Sequence, residues 1–355
     1  MNSLDLTNFY SEKKIFLTGH TGFKGSWMAL WLSQMGAEVV GFALRADEES
    51  LFNLAKVEEG LVKSIIGDIR NEKEIAAAVK DFQPEIIIHM AAQPLVRQSY
   101  FDPLETYQTN VIGSLNVFEA ARKSGSVKAI LNVTTDKCYE NKEIDYPYKE
   151  EDPMGGYDPY SSSKACAEIL TSSYRRSFLE KEGIFIASAR AGNVIGGGDF
   201  SVDRIIPDIF RSVRLNKEVE IRSPNAIRPW QHVLEPLYGY LLLTKNLFEK
   251  GKNFSSAYNF GPDCAAEVNV ENLTKLLIQN LETGSYKVNE NAHNLHEAGI
   301  LKLNNNKAKS ELNWHPKLSF EENIKWTADW YKNYLTKNLD VRKFTLNQIE
   351  NFQKN

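Results

Sequence analysis

An apolar run, Lys14-Ile15-Phe16-Leu17, leads directly into Thr18-Gly19-His20-Thr21-Gly22-Phe23-Lys24-Gly25, and a second apolar run, Trp27-Met28-Ala29-Leu30-Trp31-Leu32, follows before Gly36. The order is strand, tight turn, helix. Glycines three residues apart let the backbone turn sharply and approach a bulky anion, and the N-terminus of the following helix aims N–H groups at it. A strand feeding a helix through such a turn belongs in a parallel sheet, with a dinucleotide's pyrophosphate at the turn. The same three glycines could mark a turn and nothing more, so the flanking strand and helix carry the weight.

Strand-like runs at 14–17, 38–42, 63–66, 85–88, 129–133 and 184–189 alternate with longer amphipathic segments. That alternation predicts an α/β fold, a Rossmann-type doubly wound parallel sheet with helices on both faces. Beyond Arg190 the pattern loosens into Gly192-Asn193-Val194-Ile195-Gly196-Gly197-Gly198 and Arg228-Pro229-Trp230-Gln231-His232, with helical periodicity near 203–214, 233–248, 268–279, 305–312 and 320–335. The expected division is a dinucleotide-binding domain over 1–190 and 232–262, and a smaller, mostly C-terminal substrate-binding lobe over 191–231 and 263–336. Residues 337–355 read as a polar tail with little core to offer.

A chain of 355 residues, 42% hydrophobic, can bury a full core. Forty-six acidic against 42 basic residues give a net charge of -4 with no long basic run, which argues against a nucleic-acid partner. Cys138, Cys166 and Cys264 are too few and too scattered for a disulfide framework or a zinc site. The start, Met1-Asn2-Ser3-Leu4-Asp5, lacks a basic segment followed by an apolar one, and no apolar run approaches the roughly 20 residues that span a bilayer. The expectation is a cytoplasmic protein with no membrane partner.

The fifth strand exits at Thr134-Thr135-Asp136-Lys137, and ligands of such sheets collect beyond the carboxyl ends of the strands. Tyr160 and Lys164, in Tyr160-Ser161-Ser162-Ser163-Lys164, share one face of a helix. A free phenol titrates near ~10, but a neighbouring ammonium and an oxidised nicotinamide both favour its ionised form, making Tyr160 a usable base. Thr135 can orient the same hydroxyl, and Lys164 can also reach the cofactor's ribose. Together these residues predict oxidation of an alcohol with a nicotinamide cofactor.

At this point the chain resembles the extended short-chain dehydrogenase/reductases, and within them the nucleotide-sugar 4,6-dehydratases. The likeness runs from residue 13 to about 335. It is carried by Thr18 to Gly25, Gly67-Asp68-Ile69-Arg70, His89-Met90-Ala91-Ala92-Gln93, Thr109-Asn110-Val111-Ile112-Gly113, Thr134 to Lys137, Tyr160 to Lys164, and Leu301-Lys302-Leu303 through Leu312-Asn313-Trp314-His315-Pro316. Gly19 through Trp27, Thr135-Asp136-Lys137-Cys138-Tyr139 and Arg228 through Leu237 make the chain most similar to members acting on CDP-glucose. The resemblance implies bound NAD, oxidation at C4, elimination of water across C5 and C6, and reduction at C6. It implies Thr135, Asp136, Lys137, Tyr160 and Lys164 as catalytic residues, with Asp136 as the acid at C6.

Lys137 stands where thymidine-type relatives carry Glu. It is expected to take the C5 proton, or to remain a cation that stabilises the enolate. Cofactor contacts are expected from Gly19, Thr21, Gly22, Phe23, Lys24, Gly25, Arg45, Asp68, Ile69, Ala91, Ala92, Asn110, Tyr160 and Lys164. Asp68 would accept from the adenine amino group or else cap a helix, and Asn110 would support the fourth strand. The second strand ends at Ala43 without the acidic residue that usually holds the adenosine ribose, which predicts loose NAD binding. Gln93, Asn193, Arg204, Arg228 and Trp230 are the expected substrate contacts, with Trp230 either stacking on the pyrimidine or merely packing. His232 reads as a support. The resemblance also implies a homodimer through helices 103–123 and 159–179. A nucleotide-sugar C4 epimerase, a 4,6-dehydratase of another nucleotide sugar, and a non-catalytic dinucleotide sensor are the alternatives, and Asp136-Lys137 argues against the first.

Overall fold

The computed structural model describes residues 3–263, 268–289, 299–337 and 340–355. Cys264 lies outside them.

Seven parallel strands form the central sheet: β1 (Lys14–Thr18), β2 (Glu38–Ala43), β3 (Lys63–Ile66), β4 (Ile86–His89), β5 (Ala129–Val133), β6 (Phe185–Ala191) and β7 (Ala257–Phe260), in the order β7-β6-β5-β4-β1-β2-β3. Ile86, Ile87 and Ile88 of β4 and all of β5 are buried, as expected of strands covered on both faces. The six strands expected from the sequence are present; β7 was not expected. Its segment Ala257-Tyr258-Asn259-Phe260 is too short and mixed to stand out, and its place comes from pairing with Ser188 to Ala191. The order reverses between β1 and β4, which opens a crevice at their carboxyl ends.

The helices that matter for the site are α1 (Phe23–Gln34), α2 (Ser114–Ser124), α3 (Pro159–Ser177), α4 (Ile205–Arg214), α5 (Leu234–Lys250), α6 (Phe320–Thr336) and α7 (Val341–Lys354). α1 is buried continuously from Gly25 to Leu32, and a helix apolar all round must be covered on every side. The sheet covers one side; α5 and α7 cover another, with Trp31 stacked on Tyr238 and edge-on to Phe352. Here the expected polar tail needs correction. Val341, Thr345, Gln348, Ile349 and Phe352 fall on one helical stripe, and Ile349 and Phe352 are fully buried. The segment is polar on average, yet its few apolar residues lie at helical spacing.

The helix expected over 103–123 is interrupted. A π-helical turn, Gln108–Gly113, separates Pro103–Tyr107 from α2 and carries Asn110. α4 packs on α6 through Phe210 stacked on Tyr331, with ring centroids 4.5 Å apart. Gln231–His232 pairs in parallel with Val194–Ile195, tying the segment before α5 to the segment after β6. Among the described residues, no helix is long and apolar enough to cross a membrane.

Candidate active site

The glycine turn is shaped by what surrounds it. Gly19 has φ +77°, and a Cβ there would lie 2.7 Å from the Ala91 nitrogen; a Cβ on Gly25 would lie 2.0 Å from the Gly19 oxygen. Both glycines are demanded by the chain itself. At Gly22 a Cβ would meet only the Gly19 oxygen, at 3.4 Å, so the bare backbone there faces open space. No side chain caps the helix that starts at Gly22, which leaves its first N–H groups for an anionic ligand. This donor set fits the pyrophosphate of a dinucleotide.

Across the switch point, Thr18 Oγ1 lies 2.7 Å from His89 Nδ1 and accepts from the backbone N–H groups of Met90 and Ala91. His89 Nε2 is 3.0 Å from Ser114 Oγ, which donates to the Asn110 carbonyl. Asn110 grips the loop after β4, its Oδ1 accepting from the Gln93 N–H and its Nδ2 donating to the Gln93 carbonyl and to Ser163 Oγ. A π-helical turn places a side chain where regular helix would not, and here it links the β4 loop to α3.

α3 begins at Pro159, with Asp158 accepting from the Ser161 N–H and the Ser161 hydroxyl. Tyr160 and Lys164 follow on the buried face, 8% and 6% exposed. Lys164 Nζ donates to the Val133 carbonyl at the end of β5. The Tyr160 hydroxyl is hydrogen-bonded to Thr135; burial pushes its pKa up to about 12, with Thr135 pulling the other way. Burial pulls the Lys164 ammonium down to about 8, and Glu168 opposes it. At neutral pH the phenol is therefore protonated and the ammonium mostly charged.

Thr135 caps a single 3-10 turn, Asp136–Cys138. Thr135 Oγ1 donates to Asp136 Oδ1 at 3.0 Å. Asp136 is 1% exposed, and burial pushes its pKa up to about 6 against the pull of Lys137, Thr135 and Arg228. Lys137 is half-buried beside it.

A cavity of about 720 Å³ joins these groups. Its lining includes Thr135, Asp136, Lys137 and Tyr160 together with Asn193, Arg204, Arg228 and Trp230. Arg204 is ion-paired with Asp199 at 2.9 Å. Arg228 donates to the carbonyls of Ile227 and Gly299. Trp230 is 5% exposed, belongs to the main core and donates its indole N–H to the Val268 carbonyl.

Lys24 also reaches this cavity, where burial and then the neighbouring Lys164 and Arg204 pull its pKa down to about 7. Gln93 is drawn away: its amide bonds to Leu95 and Thr106. Asp68 holds Arg70 through Nε and the terminal nitrogen, and the helix cap is Asn71. Thr21 donates to the Leu44 carbonyl, Ile69 is buried, and Arg45 is exposed beyond Ala43. Ala91 and Ala92 are partly buried beyond β4. His232 is fully buried, edge-on to Trp27 and Trp326.

Two features were missed from the sequence. His20 of the glycine turn folds inward, 2.8 Å from Ser64 Oγ, into space that exists because residue 41 is glycine; a Cβ there would be 2.3 Å from the ring. The pairing of a histidine in the turn with a glycine in β2 was the available signal. At the cavity, Arg97 and Arg222 both donate to Asp203. They lie in three separate segments, and nothing local marks them as neighbours.

The model of the GDP-mannose 4,6 dehydratase family matches residues 16–327. A CDP-glucose 4,6-dehydratase of Salmonella typhimurium is 46% identical over 334 residues, covering 92% of this chain and 93% of the relative. Among solved structures, a UDP-glucose 4-epimerase of Thermotoga maritima with UDP-glucose superposes with a TM-score of 0.78 at 25% identity, over 90% of this chain and 99% of that one. A dTDP-glucose 4,6-dehydratase of Bacillus anthracis in complex with NAD gives 0.75 at 22% identity, over 94% and 99%, and shares the fold.

Proposed function

The chain belongs to the GDP-mannose 4,6 dehydratase family, and from that premise we propose that it converts CDP-D-glucose to CDP-4-dehydro-6-deoxy-D-glucose and water. One observation carries the reading. A buried carboxyl with a pKa of about 6, Asp136, sits in the same cavity as Tyr160 and Thr135. An alcohol oxidation needs the tyrosine and threonine; only an elimination also needs a proton donor poised near neutrality. The 46% identity to a CDP-glucose 4,6-dehydratase supports the choice of sugar nucleotide.

When bound, NAD would supply the hydride acceptor for C4 and the hydride donor for C6. Gly19, Gly22 and Gly25 with the start of α1 would hold its pyrophosphate, Thr21, Phe23, Lys24, Arg45, Ile69, Ala91, Ala92 and Asn110 would border it, and Lys164 would reach its ribose. Ala43 offers no carboxylate to the adenosine ribose, which weakens that hold, and Asp68 reaches the adenine only by sharing its carboxylate with Arg70.

Tyr160 takes the C4 hydroxyl proton, with Thr135 orienting that hydroxyl. The ammonium of Lys164 lowers the cost of ionising a phenol that burial otherwise keeps protonated. The C4 ketone then acidifies C5; Lys137 receives the C5 proton and returns it to C5 when C6 is reduced, or holds the enolate as a cation while another group takes and returns that proton, and Asp136 protonates the departing C6 hydroxyl. Arg204, Arg228 and Asn193 hold the diphosphate, since guanidinium groups bind phosphate oxygens in pairs. Trp230 supports the cavity by packing.

The 1–190 and 232–262 segments act as the cofactor domain and 191–231 with 263–336 as the substrate lobe. Leu104 and Ile112 within 103–123 and Ile169 within 159–179 are exposed apolar residues, and they support a homodimer through those helices. The reading places the enzyme in the cytoplasm.

The test is incubation with NAD and CDP-glucose, with dTDP-, GDP- and UDP-glucose alongside, read by mass spectrometry. Loss of one water from CDP-glucose at least ten times faster than from the others is expected. A product of unchanged mass, or none, overturns the proposal.

A further inference from the structure

Behind the cavity wall lies an ion pair that the chemistry above does not use. Glu168 and Arg190 are 5% and 4% exposed and meet at 2.8 Å. Glu168 Oε1 accepts from the Thr134 hydroxyl, and Oε2 accepts from Arg190 and from Ser188 at 2.8 Å. Arg190 in turn donates to the Tyr139 hydroxyl and the Glu150 carbonyl, and its guanidinium lies over the Tyr139 ring. Taking two such charges out of water costs several kcal/mol per ion, and replacing a buried pair with apolar groups is often neutral or stabilising. Stability alone is therefore a poor reason for the pair.

Its placement offers a better one. Tyr160, Lys164 and Glu168 stand at successive turns of one face of α3. Lys164 donates to the Val133 carbonyl while Glu168 receives the hydroxyl of the next residue, Thr134. Two side chains of α3 thus grip the last residue of β5 and the residue after it, immediately before Thr135.

We propose that Glu168, fixed by Arg190, is a positioning residue for the reaction: it sets an anion one turn beyond Lys164 on the same buried face of α3, and its bond to Thr134 sets where Thr135 stands. This rests on the role given to Lys164 above. The charged or titratable groups facing Lys164 are Lys24 from α1, His89 from β4, Cys138 from the turn after β5, and Glu168 from α3. Burial keeps His89 neutral, pulled down to about 3, and pushes the Cys138 thiol far up, so it is neutral too. Lys24 repels. Among these groups Glu168 is the anion that opposes the burial of the Lys164 ammonium.

The pH profile of kcat/KM for CDP-glucose separates this from a structural role. In the wild type, activity falls as Lys164 loses its proton, near a pH of about 8. Glu168→Gln keeps the shape and removes the charge, so that alkaline limb moves down by about one pH unit, a roughly tenfold loss at pH 8.5. Thr134→Val removes only the hydrogen bond; it lowers kcat with the limb in place, and Glu168→Asp restores the limb. If Glu168→Gln does not fold, Thr134→Val tests the hydrogen-bond half of the proposal, and an unchanged kcat there overturns it. A Glu168 variant whose profile is scaled down evenly, with its limb unmoved, overturns the proposal. Lys164→Met isolates the underlying reading: normal turnover there removes the role of Lys164 itself, whereas an inactive Lys164→Met beside an unmoved limb in Glu168→Gln removes only the present inference.

Discussion

Thr135 donates its hydroxyl to Asp136 Oδ1 at 3.0 Å, while Oδ2 of the same carboxyl is buried with no hydrogen-bond partner among the described residues. A buried carboxylate oxygen without a donor favours the protonated group. The arrangement presents an acid at the mouth of β5, beside the residue that orients the sugar hydroxyl.

Asp136→Asn removes the proton and keeps the shape. Dehydration of CDP-glucose is expected to fall by about 10²–10⁴-fold, the usual worth of a general acid. Exchange of the C5 hydrogen with solvent deuterium should persist, because C4 oxidation and the C5 step do not need this group. Equal loss of exchange and dehydration would remove Asp136 as the C6 acid.

The same carboxyl predicts a pH-dependent stability. Its folded pKa, about 6, is raised above the ordinary 3.8. Its contribution is therefore fully present below the unfolded pKa and is lost as pH rises through about 6. Asp136→Asn should be more stable than wild type at pH 8, by on the order of 1–3 kcal/mol, with the gap closing by about pH 4. Urea unfolding at both values checks this, and a constant difference would contradict it.

The three glycines of the turn should respond differently to alanine. Gly25→Ala drives a Cβ into the Gly19 oxygen and should cost folded protein outright. Gly22→Ala meets only an ordinary contact at 3.4 Å, so its melting temperature should hold while NAD affinity falls at least about tenfold. Calorimetric titration of both variants with NAD distinguishes the roles, and unchanged affinity in Gly22→Ala would take the pyrophosphate away from this turn.

Phe352→Ala should destabilise the whole fold by about 3–5 kcal/mol, the range for a buried aromatic, because Phe352 closes the outer side of α1 against Trp31 and Tyr238. Thermal unfolding gives the number. A neutral result would mean that α7 is dispensable.

Residues with a local pattern were readable from the sequence. Six of the seven strands announced themselves through apolar runs, and the pairing of Tyr160 with Lys164 on one face of α3 follows from their spacing. What depends on contacts between distant segments was not readable. β7 exists by pairing with β6, α7 by covering α1, and the Glu168–Arg190 pair by the approach of α3 to β6. Gln93 shows the same limit from the other side. Its neighbours in sequence suggested a substrate contact, but Leu95 and Thr106 claim its amide.

The most direct test follows deuterium placed at C4 of CDP-glucose through one turnover with NAD. If C4 is oxidised by hydride transfer to NAD with Tyr160 taking the hydroxyl proton, and Asp136 drives the elimination within one closed site, the label appears at C6 of a 4-keto product that has lost one water. Label retained at C4 of a product of unchanged mass, or released to solvent, would contradict the account.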